Sequence, residues 1–287
     1  MSDSVAPIAP FEEQEKLDLE ALEIKLLTEG IYEHYGFDFR DYAYSSIQRR
    51  IRQCVDEEKA QGITELQAKL LHDPAVMERF LLKITINVTS MFRDPDFYRA
   101  FRARVVPELR NQAFIRVWHV GCSTGEEVYS MAILLREEGL YSKCRIYATD
   151  MNEAVLAQAK SGIFPLSLLR EYTGNYLQAG GAGSFSEYYT AGYDHVIFQH
   201  SLSENVVFAQ HNLVTDGSFN DFHVILCRNV MIYFNDVLTA RVHSLLYESL
   251  ALAGFLCLGN RESIKFTPYE TSYEPFDSSE RIYRRIK

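Results

Sequence analysis

Short apolar runs alternate with helical stretches over the last two thirds of this chain, and that alternation constrains the fold more than any other feature. FIRVWHVG (114–121), CRIYATD (144–150), FHVILC (222–227) and GFLCLGN (254–260) are rich in β-branched and aromatic residues. Stretches such as EEVYSMAILLREEG and DVLTARVHSLLYESLALAG separate them. Parallel strands need crossovers of about this length, so the pattern predicts a parallel sheet wound by helices on both faces. The terminal ERIYRRIK reads as an added edge strand. One stretch breaks the alternation: SFSEYYTAGYDHVIFQHSLSENVVFAQHN holds three short β-like runs, and a small antiparallel insertion is expected at about 183–208.

The N-terminal third reads differently. Leu17, Leu19, Leu22, Ile24, Leu26 and Leu27 give a helix its apolar face, YSSIQRRIRQCVDEEKAQG a second helix ending at Gly62, and ITELQAKLLHD and PAVMERFLLKITI two more. The expected organisation is an unordered stretch at 1–10, a helical domain at 11–86, and an α/β domain at 87–287 that carries the insertion.

A chain of 287 residues with 47% hydrophobic content builds real cores without staples. Its five cysteines (Cys54, Cys122, Cys144, Cys227, Cys257) show no metal-ligand spacing and read as reduced, buried thiols, with no metal expected. A net charge of -10 argues against a nucleic-acid partner. No apolar run approaches the roughly 18 residues that cross a bilayer, and no basic leader precedes one, so the chain reads as cytosolic.

Chemistry is concentrated at HVGCSTGEEVYS (119–130), the first strand-to-helix turn of the predicted sheet. In open α/β sheets this turn faces the ligand. Gly121 and Gly125 permit a sharp bend and close approach, Ser123 or Thr124 can cap the helix, and Thr124 with Glu127 has capping-box spacing. A capped glycine turn needs no ligand. Asp150, however, ends the next strand about 25 residues on, where a carboxylate meets ribose hydroxyls, although it can equally cap the following helix. The loop lacks a full G-x-G-x-x-G, so a nucleoside without pyrophosphate, such as S-adenosylmethionine, suits it better than a nicotinamide cofactor.

Five ordered blocks, ITINVTSMFRDPDFY, VWHVGCSTGEEVYSMAILL, YATDMNEAVLAQAKSGIFP, ILCRNVMIYF and GFLCLGNRES, resemble the CheR-type chemoreceptor glutamate methyltransferases. The resemblance runs from about Ile31 to the C-terminus. It implies a doubly wound, Rossmann-like methyltransferase domain with a small antiparallel β-subdomain, preceded by an all-helical N-terminal domain. It also implies S-adenosylmethionine as cofactor, S-adenosylhomocysteine as product, and methyl esterification of glutamates on the chemoreceptor cytoplasmic helical bundle. By motif it places Asn87, Thr89, Arg93, Glu127, Asp150, Asn212, Leu213, Arg228 and Asn229 at the cofactor, and Tyr233 beside the transferring methyl. Gly121 joins them through its place in the turn. Arg93 and Tyr233 are the expected catalytic pair. Arg49, Arg50 and Arg52 form a basic cluster that either faces solvent or docks the receptor bundle, and the β-insertion is either a structural hairpin or a seat for a receptor C-terminal peptide.

Four positions depart from the family pattern: Met91 before Phe92, His119 where relatives often have a small residue, and Asn260 and Arg261 in place of His-Ser between Gly259 and Glu262. They bear on tuning and substrate choice rather than on the cofactor. Two alternatives stay open: a cofactor-binding docking module without turnover, and a methyltransferase for another protein or a small molecule.

Overall fold

The computed structural model describes residues 11–85 and 89–287, with side chains from Asp18 onward within those ranges. The expected unordered stretch 1–10 and the candidate Asn87 lie outside the described residues. The chain divides into two compact units, Met1–Thr85 and Ile86–Lys287.

The first unit is helical: α1 (Phe11–Tyr35), α2 (Tyr44–Glu57), α3 (Ile63–His72) and α4 (Pro74–Ile84). Leu27 and Ile31 of α1, Ile51 of α2, and Leu66 and Leu70 of α3 are fully buried. Within α1 and α3 they stand one turn apart, which aligns each pair on one helix face. The start of α4 is fixed locally. The Asp73 carboxylate accepts the Ala75 N–H at 2.9 Å, and Pro74 occupies a first-turn position that needs no amide hydrogen.

In the second unit α5 (Pro95–Ala100) continues through a π-helical turn, Phe101–Val105, into α6 (Val106–Leu109). There follow β1 (Ile115–Val120), α7 (Glu126–Glu137), β2 (Cys144–Asp150), α8 (Glu153–Ser161), β3 (Ile163–Pro165) and α9 (Leu169–Gln178). Then come β4 (Tyr189–Ala191), β5 (His195–Phe198), β6 (Val206–Gln210), β7 (Phe222–Cys227), α10 (Asp236–Ser249), β8 (Leu250–Leu258), β9 (Tyr273–Asp277) and β10 (Ile282–Arg285). Among the described residues a seven-stranded sheet runs in the order β6-β2-β1-β7-β8-β10-β9, and a three-stranded one in the order β3-β5-β4.

Three expectations change. VVFAQ, counted with the insertion, is β6, which pairs in parallel with β2 from Ile146↔Val206 to Asp150↔Gln210. The antiparallel subdomain instead draws its outer strand β3 from Ile163–Pro165 and ends with β5 at Phe198, so its strands lie within 163–198 rather than 183–208. Residue pattern marks a run as extended but does not choose its partner, and the free edge of β2 offers Val206–Gln210 a full ladder. The sheet is also mixed. ERIYRRIK is not its edge, because β10 lies antiparallel between β8 and β9. The edge strand is β9, where Pro275 lacks an amide hydrogen and an edge tolerates the loss.

The strand order reverses at β1, which has β2 on one side and β7 on the other. Ligands of open α/β sheets bind beyond the carboxyl ends of the strands at such a reversal. The turn 121–125, Asp150, Asn212 and Arg228–Asn229 all follow or end strands at that edge. Among the described residues no helix is long and apolar enough to cross a membrane.

Candidate cofactor site

The turn after β1 is held in conformations that explain its sequence. Gly121, Ser123 and Gly125 have φ of 63°, 50° and 95°. A Cβ on Gly125 would stand 2.9 Å from the Ala159 Cβ, so both the backbone and the space require glycine there. Gly125 itself is the N-cap of α7. The expected capping box is absent: Thr124 Oγ1 donates instead to Glu126 Oε2 at 2.6 Å, and Glu127 is engaged elsewhere.

Asp150 ties this turn to the end of β2. Its Oδ2 accepts the Ser123 N–H at 2.9 Å and its Oδ1 the Asn152 N–H at 3.1 Å. The cap of α8 is Asn152, which accepts the Ala154 N–H at 2.9 Å, so Asp150 is not used as the helix cap. Burial raises the Asp150 pKa, and the backbone N–H groups work against that rise.

A charged network joins four elements beneath the turn. Arg228, just beyond β7, donates to Glu127 Oε2 at 3.0 Å and to Asp94 Oδ2 at 2.8 Å, and its guanidinium lies 4.1 Å from the centre of the Phe97 ring. The second Glu127 oxygen faces His119 Nδ1 at 3.0 Å. Burial alone would raise the Glu127 pKa, but His119 and Arg228 outweigh it and hold the carboxylate below its usual range. The Arg93 carbonyl lies 3.4 Å from Arg228 Nη2. Phe92 and Asp94 on either side have φ of 50° and 58°. The Phe92 N–H donates to Ser130 Oγ at 2.8 Å, which fixes this segment on α7.

Sequence reasoning missed Glu262. Its buried carboxylate accepts the N–H groups of Gly259 (2.7 Å), Asn229 (2.9 Å), Val230 (2.9 Å) and Met231 (2.8 Å). Asn229 has φ of 62°, and the turn of successive N–H groups it opens forms an anion-binding concavity that Glu262 fills. Tyr233 sits at the end of the following 3-10 turn, Met231–Tyr233. The signal is a glycine three residues before a glutamate just past a strand end, a spacing the family motif keeps but that alone assigns Glu262 no role.

Helix α9 was missed too. Tyr172 donates to Glu126 Oε1 at 3.3 Å, Ser90 Oγ to Glu171 Oε1 at 2.5 Å, and Asn175 Nδ2 to the Met91 carbonyl at 3.0 Å. The helix thus holds both the Ser90–Met91 segment and the first turn of α7.

Thr89, Arg93, Asn229, Leu213 and Tyr233 are half-buried. Asn212 spends its Oδ1 on the Val214 N–H at 3.0 Å and its own N–H on Asp216 at 2.8 Å, which shapes the turn after β6. Arg228 is consumed by its internal partners. In the helical unit Arg50 is buried and bonds the Ile84 carbonyl at 3.3 Å, which removes it from the expected basic docking face. It falls on the same side of α2 as the buried Ile47 and Cys54. Arg49 is exposed, and Arg52 is exposed but paired through its Nε with Glu20 at 2.6 Å.

These residues fit S-adenosylmethionine. The Asp150 oxygens accept backbone N–H groups of Ser123, Asn152 and Met151, and a carboxylate's roughly four acceptor sites leave room for a ribose hydroxyl. Arg228, Glu127 and Asp94 together carry a net charge of about -1, which suits a ligand with a sulfonium and an amino group. Among the described residues no His, Cys, Asp and Glu side chains converge as a metal site.

The fold and this edge define an S-adenosylmethionine-binding methyltransferase. Residues 87–278 match the CheR methyltransferase, SAM binding domain, and residues 22–85 match the CheR methyltransferase, all-alpha domain. The chain belongs to the CheR methyltransferase family. It is 49% identical over 264 residues to Cher3 of Pseudomonas putida, covering 92% of this chain and 97% of that one. It is 30% identical to the chemotaxis protein methyltransferase of Listeria monocytogenes, covering 80% of this chain and 85% of that one. The chemotaxis protein methyltransferase of Salmonella typhimurium is also 30% identical, with 84% and 85% covered.

Proposed function

We propose that the protein is a protein-glutamate O-methyltransferase that esterifies glutamate side chains on chemoreceptor cytoplasmic helices. The observation that carries this reading is the match of both family domains in order, together with relatives named chemotaxis protein methyltransferase that align over 80% or more of the chain.

The chemistry asks little of the protein beyond alignment. S-adenosylmethionine, when bound, supplies an electrophilic methyl on sulfur. A glutamate carboxylate has an ordinary pKa of about 4.3, so it arrives as an ionised nucleophile and needs no general base. Arg93 orients that carboxylate by charge-assisted hydrogen bonds, and Tyr233 confines it beside the methyl. Asp150 takes the ribose hydroxyls, and Glu127 the amino group of the cofactor. Thr89, Leu213 and Asn229 line the remainder, with Gly121 giving the close backbone approach. Arg228 supports the site from beneath through Glu127 and the Arg93 carbonyl. Arg49, exposed on α2, offers positive charge to a glutamate-rich bundle in the cytoplasm, while Arg52 beside it is paired with Glu20. The open edges of the small sheet, β3 and β4, can accept a receptor peptide by strand addition.

Incubation with labelled S-adenosylmethionine and receptor cytoplasmic fragments should give base-labile methyl esters. No label on any fragment, despite measurable cofactor binding, refutes the reading. Arg93→Ala should lower turnover more than cofactor affinity, and Arg49→Glu should raise KM for the receptor with kcat held.

A further inference from the structure

His119 is fully buried within β1, an unusual place for an imidazole, and it departs from the small residue expected there. Its Nδ1 lies 3.0 Å from Glu127 Oε1, while its Nε2 has no hydrogen-bond partner. An ionised carboxylate only accepts, so at this distance the hydrogen lies on Nδ1 and is donated to Glu127.

Arg228 supplies a cation to the network, and Glu127 and Asp94 supply two anions. Each Glu127 oxygen is held by one donor from the protein, His119 on one and Arg228 on the other. Each keeps a lone pair for a further donor.

We propose that His119 is a positioning residue for S-adenosylmethionine: its Nδ1–H locks one oxygen of Glu127, so the carboxylate meets the cofactor's amino group already oriented. The proposal rests on Glu127 being a cofactor residue, and Glu127→Gln tests that separately through the cofactor Kd.

The test is calorimetric titration of S-adenosylmethionine into wild type, His119→Ala and His119→Asn, with melting temperatures measured alongside. Asparagine places an N–H donor near the Nδ1 position. Alanine should weaken Kd about tenfold, the scale of one charge-assisted hydrogen bond, and asparagine should restore it to within about threefold of wild type. Nitrogen-15 NMR of the wild type should show a hydrogen on Nδ1. Wild-type affinity in a folded alanine variant overturns the proposal, as does an asparagine variant no better than alanine, or an Nε2–H tautomer. If alanine prevents folding, the asparagine affinity and the tautomer decide. If Glu127→Gln itself keeps wild-type affinity, the assignment of Glu127 fails, and the His119 proposal with it.

Discussion

Replacing Arg228 with methionine removes the cation that joins α7, the end of β7 and the Arg93 segment. The Arg228 side chain is 2% exposed, against 20% for Glu127 and 33% for Asp94. The Glu127 link is well shielded and its loss leaves a carboxylate partly buried, worth about 2 kcal/mol. The Asp94 link is screened by water and contributes under about 1 kcal/mol. The contact with the Phe97 ring adds about 1 kcal/mol. Methionine fills much of the vacated stem and keeps the packing loss small. The expected destabilisation is roughly 3 to 4 kcal/mol, which for a unit of this size lowers Tm by about 10 °C. Trp118 is the sole tryptophan and is fully buried in β1, so its fluorescence during urea unfolding reports this unit alone. In a double-mutant cycle with Glu127→Gln the two sites should couple by at least about 1.5 kcal/mol. A destabilisation under about 1 kcal/mol, or additive effects, refutes the view that Arg228 is the junction.

Gly125→Ala combines a left-handed φ with a Cβ 2.9 Å from Ala159, and should cost roughly 2 to 4 kcal/mol by the same fluorescence assay. Glu127, held below the usual glutamate range, contributes stability that is present above that range and is lost as pH falls through its depressed folded value. Wild type should therefore lose stability more steeply than Glu127→Gln as pH drops from about 5 to 3. Asp150 and Glu262, raised by burial, act with the opposite sign, so the comparison must be between the two curves. All five cysteines are buried, and burial pushes Cys54 and Cys144 up to about 12. A thiol reagent should label none in the native protein and all five in denaturant.

The strand–helix alternation and the glycine turn were legible because local residue choice determines them: β-branched runs make strands, and a left-handed Gly125 admits nothing larger. The ligand-facing edge followed from topology once those strands were placed. What was not legible depended on partners distant in sequence. VVFAQ shows its extended character but not that β2 is its neighbour. Glu127 has capping-box spacing with Thr124, yet His119 and Arg228 win it because they meet it in three dimensions. Arg50 belongs to a basic run by composition, and only the position of Ile84 shows that its guanidinium turns inward. Glu262 looked like a leftover of a motif until its four backbone donors were in view.

The hydrogen bonds from Arg228 to Asp94 and to the Arg93 carbonyl span 134 and 135 positions of chain, and those from the 229–231 N–H groups to Glu262 another 31 to 33. Such distant closures form late in folding, after the local helices and the first parallel pairs. During synthesis the Arg93 segment can settle on α7 through Phe92 and Ser130, but its bonds to Arg228 wait until more than a hundred further residues have left the ribosome. Chains arrested before Glu262 lack the closure that shapes the segment leading to Tyr233. Products truncated before Glu262 should therefore fold without a shaped 229–231 turn.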